Sequence, residues 1–327
     1  MNKLVSIIMP AYNCADYIAE SIRSVQNQTY RNWELIVADD KSTDGTVDIV
    51  RIMAEGDNRI RLLETDRNLG PAAARNRAMD VANGNYIAFL DSDDVWYPDK
   101  LQKQLDFMEA NGYSFTYTAY KKINERSEYM GIVISAPGSV NYSSMLYRGD
   151  PIGNSTVIYD ADKLGKFHVP DIKRRNDFAL WLKIMHDCDR AYGLDEVLAS
   201  YRIRSGSVSS ARRGELLKYH WELYRNIEEL SLVKSSAAIV TLVLFKLARL
   251  TNEMAQESKN NRRVVRAEKA EKSIGDNNLK STIENINEKT RIDFSRTAEA
   301  DLAVANGVYN KNESTGDDMK YAEKQSS

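Results

Sequence analysis

Short, unbroken apolar runs alternate with amphipathic stretches through the first third of the chain. Val5 to Met9 is largely apolar and β-branched, and Trp33 to Ala38 (WELIVA) repeats the pattern. Ile60 to Leu63, Tyr86 to Leu90 and Tyr113 to Tyr117 continue it. Runs this short, apolar on both sides and bounded by turn residues, predict buried strands. Helical patterns lie between them. Ala15 to Gln28 carries Ile18, Ile22 and Val25 at helical spacing, and Asp44-Gly45-Thr46 opens a second helix through Val47, Ile49 and Val50. Pro71 stands in the first turn of a third helix running to about Ala82, and Pro98 opens a fourth through Glu109. Strand-helix alternation with two-sided apolar strands predicts an α/β fold, a mostly parallel Rossmann-like sheet flanked by helices on both faces.

From about residue 120 the alternation weakens. Tyr129 to Ile134, Ser155 to Tyr159 and Leu198 to Ile203 read as short β pieces, and Asp177 to His186 as a helix. Residues 212–260 look helical, and within them Ala237 to Leu250 (AAIVTLVLFKLARL) is strongly apolar but interrupted by Lys246 and Arg249. That stretch is too short to span a bilayer. Two readings stand: a helix packed on the catalytic domain, or an amphipathic helix lying in a membrane interface. Beyond Thr251 charges alternate in sign without an apolar stripe, which predicts a weakly structured or disordered tail over 261–327. The domain expectation is therefore 1–210 as one domain (1–118 and 119–210 as its halves), 211–260 as C-terminal helices, and the tail.

Composition adds mainly exclusions. Hydrophobic content of 43%, charged content of 28% and a net charge of -2 describe an ordinary globular chain with no field to attract nucleic acid. Cys14 and Cys188 lack the spacing of a disulfide framework or zinc site and suit a reducing cytosol. The first apolar run ends at Pro10, too early for a signal segment, so a cytoplasmic location is expected.

The chemistry collects at strand ends, where open parallel sheets bind ligands. Pro10-Ala11-Tyr12-Asn13 follows the first strand, Asp39-Asp40 the second, and Asp91-Ser92-Asp93-Asp94 the fourth. Neither a glycine-rich dinucleotide fingerprint nor a P-loop is present. Asp91 and Asp93 point the same way on an extended strand, and their mutual repulsion suits a divalent cation shared with a diphosphate. The same residues also suit an ordinary turn, with Asp44 a helix cap. In the absence of a cation these carboxylates are expected to stand without partners. His168, His186 and His220 have no ligand spacing and read as structural, hydrogen-bonded histidines. Trp181 and Leu182 read as core.

Two segments carry a resemblance: VSIIMPAYNCADYIAESIRSVQNQTYRNWELIVADDKSTDGT and NLGPAAARNRAMDVANGNYIAFLDSDDVWYPDKL. Together they resemble the nucleotide-binding half of the family 2 inverting glycosyltransferases of the GT-A fold, of the bacterial surface-polysaccharide type. The resemblance implies that Pro10, Ala11 and Tyr12 line a uracil pocket, with Asn13 and Ser92 also at the donor and Asp40 accepting from the base. Arg75 falls near the diphosphate or ribose. Asp91 and Asp93 form the D-x-D element that holds Mg²⁺ or Mn²⁺, Asp93 as direct ligand and Asp91 nearer the ribose, with Asp94 a supporting or turn residue. KRRNDFALWLKIMHD resembles the acceptor-side segment, so Asp177 is the implied general base, with Asn176 where the family has Glu. A helix N-cap is the structural alternative for Asp177. Tyr201 to Ser209 resembles the loop that closes over the nucleotide, and Arg202 and Arg204 either bind its phosphates or are solvated edge-strand residues. The implied reaction moves a sugar from a UDP-sugar to a hydroxyl of a lipid-linked saccharide with a β-linkage, in O-antigen, lipopolysaccharide, capsule or exopolysaccharide assembly. The enzyme is then cytoplasmic, with peripheral contact to the cytoplasmic face of the inner membrane.

Overall fold

The computed structural model describes residues 3–204, 213–248 and 251. The chain divides into two compact units, 1–259 and 260–327, and all of the described residues lie in the first. The expectation for 261–327 falls outside them.

The expected alternation is present. β1 (Val5–Ala11), α1 (Ala15–Gln26), β2 (Trp33–Asp39), α2 (Thr46–Gly56), β3 (Ile60–Leu63), α3 (Pro71–Val81) and β4 (Tyr86–Phe89) follow in order. Then come β5 (Val95–Trp96), α4 (Lys100–Asn111), β6 (Phe115–Ile123) and β7 (Tyr129–Ile134). β8 (Ser139–Val140), α5 (Tyr142–Arg148), β9 (Ile158–Asp160), α6 (Ala161–Leu164), α7 (Asn176–Ile184), β10 (Ala191–Arg202) and α8 (Arg213–Glu222) complete the labelled set. A further helix, α9, spans 232–248.

The strands form one ten-stranded sheet in the order β3-β2-β1-β4-β9-β6-β10-β5, with β7 on β6 and β8 on β10. β1 to β4 are parallel, as are β6 and β10, whereas β9 runs antiparallel between β4 and β6. Alternate residues of the central strands feed two buried clusters, one on each face: Ile8, Ile36 and Phe89 on one side, Ile7, Leu35 and Ala88 on the other. Trp181 packs edge-on against Phe89 at 5.3 Å and beside Phe115 at 5.7 Å, which seats α7 under the sheet. At Gly84 the turn before β4 presses against β1, where a Cβ would lie 2.4 Å from the Ser6 backbone nitrogen.

Along one side α9 packs on the core, as the first reading of the apolar stretch expects. Ser235, Ala238 and Leu242 are buried at helical spacing, and Ala238 joins the core. The opposite side leaves Val233 79% and Leu244 60% exposed, with Val240 and Leu247 on the same stripe. Among the described residues no helix is long and apolar enough to cross a membrane.

Candidate active site

β1 sits between β2 and β4, and the chain leaves it outward in both directions, so a crevice opens at the carboxyl ends of these strands. Beyond buried Ala11, Tyr12 projects with 48% of its surface exposed. Asn13 turns into the left-handed region (φ 45°), and its amide oxygen accepts from Thr43 N–H at 2.8 Å. Its own N–H donates to Ser42 Oγ at 3.0 Å, and Ser42 N–H donates to Asp39 at 2.9 Å. The loops after β1 and β2 are thus laced together beneath Tyr12. Asp40 closes β2, and its two carboxylate oxygens accept from Leu69 and Gly70 N–H at 2.8 and 2.7 Å. Those bonds hold the entry to α3, where Gly70 takes φ 87° ahead of Pro71.

The acidic turn after β4 sorts its carboxylates into different environments. Asp91 Oδ1 accepts from Arg75 Nη2 at 2.6 Å and from Asn154 Nδ2 at 2.8 Å. Asp93 contacts Arg204 Nε at 2.7 Å. Asp94 is only 1% exposed and accepts from Ser155 Oγ and, at 2.9 Å, from the Arg202 N–H. The expectation of unpartnered carboxylates is therefore corrected: Asp91 and Asp94 accept hydrogen bonds and Asp93 is ion-paired with Arg204, because the strap 153–156 and the chain at the end of β10 and just beyond it fold over them. Burial pushes the Asp94 carboxyl well up, with Asp93 adding to it, and its two oxygens tie the turn to Ser155 and to the end of β10. Asp93 is also raised, first by burial and then by Asp91, even though Arg204 opposes the shift. This corner is short of positive charge. Ser92 is buried and its carbonyl accepts from Ser21 Oγ at 2.9 Å, which ties the turn to α1.

Arg202, which ends β10, and Arg204, two residues beyond it, part company. Arg202, 2% exposed, donates to Glu20 at 2.6 Å, to Ser127 Oγ at 2.9 Å and to the Asp93 carbonyl at 2.7 Å. Its guanidinium lies 5.0 Å from the Tyr17 ring. The expectation that Arg202 meets phosphate is corrected, since its donors serve to fasten β10, α1 and the acidic turn. Arg204 remains partly exposed on Asp93. The rest of the closing loop, 205–209, lies outside the described residues.

At the far end of the crevice α7 begins with Arg175 in the left-handed region (φ 64°) as its cap. Asp177 lies inside the first turn, so the N-cap alternative does not hold; its Oδ1 accepts from the adjacent Phe178 N–H at 2.8 Å. Arg75, 7% exposed, bridges the two ends: Nη2 on Asp91 and, at 3.2 Å, Nη1 on Asn176 Oδ1. Asn176, Asn154 and Ser155 are site-forming residues that sequence reasoning left unassigned. Their only signal was a polar triplet before β9 and an amide where a carboxylate was expected. Trp181 and Leu182 are core, as expected. His168 pairs with Asp80 and His186 with Glu228. Buried His220 has no hydrogen-bond partner for either ring nitrogen among the described residues, which corrects its reading as a satisfied histidine. Burial, then Arg175 and Lys246, push it down to about 3.

Residues 6–160 match the profile of Glycosyl transferase family 2. The chain is 40% identical over 237 residues to the putative teichuronic acid biosynthesis glycosyltransferase TuaG of Bacillus subtilis, covering 72% of this chain and 93% of that protein. It is also 40% identical over 227 residues to the Escherichia coli UDP-Glc:alpha-D-GlcNAc-diphosphoundecaprenol beta-1,3-glucosyltransferase WfgD, covering 69% and 87%. Among solved structures, S. aureus TarS 1–349 in complex with UDP-GlcNAc superposes with a TM-score of 0.56 at 22% identity, over 74% of this chain and 71% of that one. The fold is thus that of GT-A glycosyltransferases, and the protein is a transferase. The chain belongs to glycosyl transferase family 2.

Proposed function

We propose that this enzyme transfers a sugar from a UDP-sugar to a hydroxyl of a lipid-linked saccharide, with inversion to a β-linkage, during assembly of a bacterial surface polysaccharide. The observation that carries the reading is the Asp91–Arg75–Asn176 bridge, which couples the acidic turn to the start of α7. The activity for which WfgD is named supports the donor and acceptor class, and TarS in complex with UDP supports the nucleotide.

Tyr12 offers an exposed ring for a base to stack on. Each Asp40 oxygen keeps a second lone pair beside the one given to Leu69 or Gly70, enough to accept a base N–H. Asp93, with Asp91, would hold a divalent cation: the two carboxylates stand two residues apart on one turn, and their side chains keep 17% and 26% of their surface exposed. A cation held there supplies charge neutralisation to the departing diphosphate. Among structural relatives, the mannosyltransferase PcManGT from Pyrobaculum calidifontis is in complex with GDP-Man and Mn²⁺ (TM-score 0.52, 18% identity, 80% of each chain). Arg204 is then released toward phosphate oxygens, where a guanidinium fork is well matched.

Asp177 takes the proton of the acceptor hydroxyl as that oxygen forms its bond to the anomeric carbon. The bond from that carbon to the diphosphate breaks on the opposite side, and its electron pair leaves with UDP. The outward stripe of α9, flanked by Lys234 and Lys246, suits the headgroup region where a lipid-linked acceptor resides, in line with peripheral contact at the cytoplasmic leaflet.

The test is transfer of glucose from UDP-glucose to a GlcNAc-diphospho-lipid, with the product's anomeric configuration read by NMR. A β-product from the wild type and a loss of at least about 10²-fold in Asp177→Asn are expected. An α-product, or full activity in Asp177→Asn, overturns the reading.

A further inference from the structure

A hydrogen-bonded chain of four side chains joins the two ends of the crevice. Asn154 Nδ2 donates to Asp91 Oδ1 at 2.8 Å, Arg75 Nη2 donates to the same oxygen at 2.6 Å, and Arg75 Nη1 donates to Asn176 Oδ1 at 3.2 Å. The middle of the chain sets the orientation of both ends. A carboxylate only accepts, so Asn154 must turn its NH₂ to Asp91; a guanidinium only donates, so Asn176 must turn its oxygen to Arg75. The outward atoms are then Asn154 Oδ1, an acceptor, and Asn176 Nδ2, a donor. Neither has a hydrogen-bond partner among the described residues, and neither is sealed inside the protein. Both amides stand on rigid ground. Asn154 opens a single 3₁₀ turn (Asn154–Thr156), in which Ser155 holds Asp94 through Oγ and accepts from Trp96 Nε1 at 2.6 Å through its carbonyl. Just before it, a Cβ at Gly153 would lie 2.9 Å from the Tyr120 ring. Asn176 opens α7 beside Asp177 and is only 8% exposed.

We propose that Asn154 and Asn176 are specificity-determining residues that read two different hydroxyls of the transferred sugar, Asn176 donating to one oxygen and Asn154 accepting from the other. The proposal rests on the glycosyl-transfer reading. With Asp91 and Asp93 at the diphosphate and Asp177 at the acceptor hydroxyl, in-line displacement places the transferred sugar between them. That is the span the four-residue chain crosses. Neutral amides suit neutral hydroxyls, since no ion has to be desolvated when the sugar enters. Because each amide is locked by its inner bond, it cannot turn over to suit the opposite pattern. A sugar lacking either hydroxyl leaves an amide group unpaired in the closed site and is rejected. The donor sugar is therefore hydroxylated at both positions.

Calorimetry with Mn²⁺ and no acceptor compares UDP-glucose with its singly deoxygenated glucose analogues. Wild type should bind UDP-glucose at least about fivefold more tightly than the analogue at each of two positions. Asn176→Ala should erase the preference at one position and Asn154→Ala at the other, while UDP, which carries no sugar, binds both within about threefold of wild type. A merely structural role weakens every donor by one common factor. Asn176→Asp keeps the oxygen that Arg75 holds and turns the other arm into an acceptor. It should bind UDP-glucose, whose hydroxyl can donate to it, and discriminate against the deoxyfluoro analogue at that position at least about tenfold more than wild type does, because fluorine cannot donate. With a GlcNAc-diphospho-lipid present, kcat/KM should follow the same pattern. The assignment is overturned if wild type binds every deoxy analogue like UDP-glucose, if the alanine variants keep both preferences, or if both variants erase the same one. The expected binding pattern without any transfer sustains the amide pair and counts against the glycosyl-transfer reading alone.

Discussion

Replacing Arg75 by Met keeps much of the side-chain volume and removes the guanidinium that joins the acidic turn to α7. Breaking a buried ion pair from one side costs about 3–5 kcal/mol, because the partner charge is left uncompensated. Here Asp91 is about a quarter exposed (26%) and keeps Asn154 as a donor, which places the loss at the low end of that range. Arg75 Nε is buried without a hydrogen-bond partner among the described residues, and its removal returns roughly 1 kcal/mol. The net expectation is a loss of about 2–3 kcal/mol, or roughly 5–10 °C in Tm for a unit of this size. Urea unfolding followed by circular dichroism measures it. The double variant Arg75→Met/Asp91→Asn should regain at least about 1 kcal/mol, since neither charge is then stranded. A loss below about 0.5 kcal/mol in Arg75→Met, or strict additivity in the double variant, refutes a coupled bridge.

Arg202 and Arg204 should respond oppositely. Arg202→Lys should destabilise the fold by about 2 kcal/mol or more in urea, because one ammonium cannot serve Glu20, Ser127 and the Asp93 carbonyl together. Arg204→Lys should leave unfolding in place and raise the KM for UDP-glucose. His220 is neutral in the fold and pushed down to about 3, against an ordinary value of 6.5. Its contribution is present above pH 6.5 and is lost as pH falls toward 3, by up to about 1.4 kcal/mol per pH unit. His220→Phe should flatten that part of the stability profile in denaturant titrations at successive pH values. On α9, Val240→Asp with Leu244→Glu should weaken sedimentation with phosphatidylglycerol vesicles at least about tenfold while the circular dichroism melt stays put.

Elements whose apolar pattern decides their fate were legible in the sequence. Ile60–Leu63 and Tyr129–Ile134 match their expected bounds, although each pairs on one side only, β3 with β2 and β7 with β6, and β7 is exposed along most of its length. β10 begins at Ala191 rather than near Leu198, because its first half carries Gly193, Asp195 and Glu196 and is bulged against β6. β5, β8 and α6 are two to four residues long and exist only through partners distant in the chain. α5 announced itself only by the Asn141–Ser144 capping box. The site divides in the same way. Chain-local motifs pointed to Tyr12, the acidic turn and Asp177. The partners that tune them, Glu20 on Arg202 and Asn154 on Asp91, come from sequence separations that no local pattern encodes. For that reason Arg202 reads as a phosphate ligand in sequence and is a buried clamp in the fold.

Calorimetric titration of UDP into the protein with Mn²⁺, then with EDTA, beside Asp93→Asn, tests the central claim most directly. The account predicts binding that disappears on chelation and weakens at least about tenfold in Asp93→Asn. Equal affinity with EDTA and in the variant, or no binding of UDP under any condition, would contradict it.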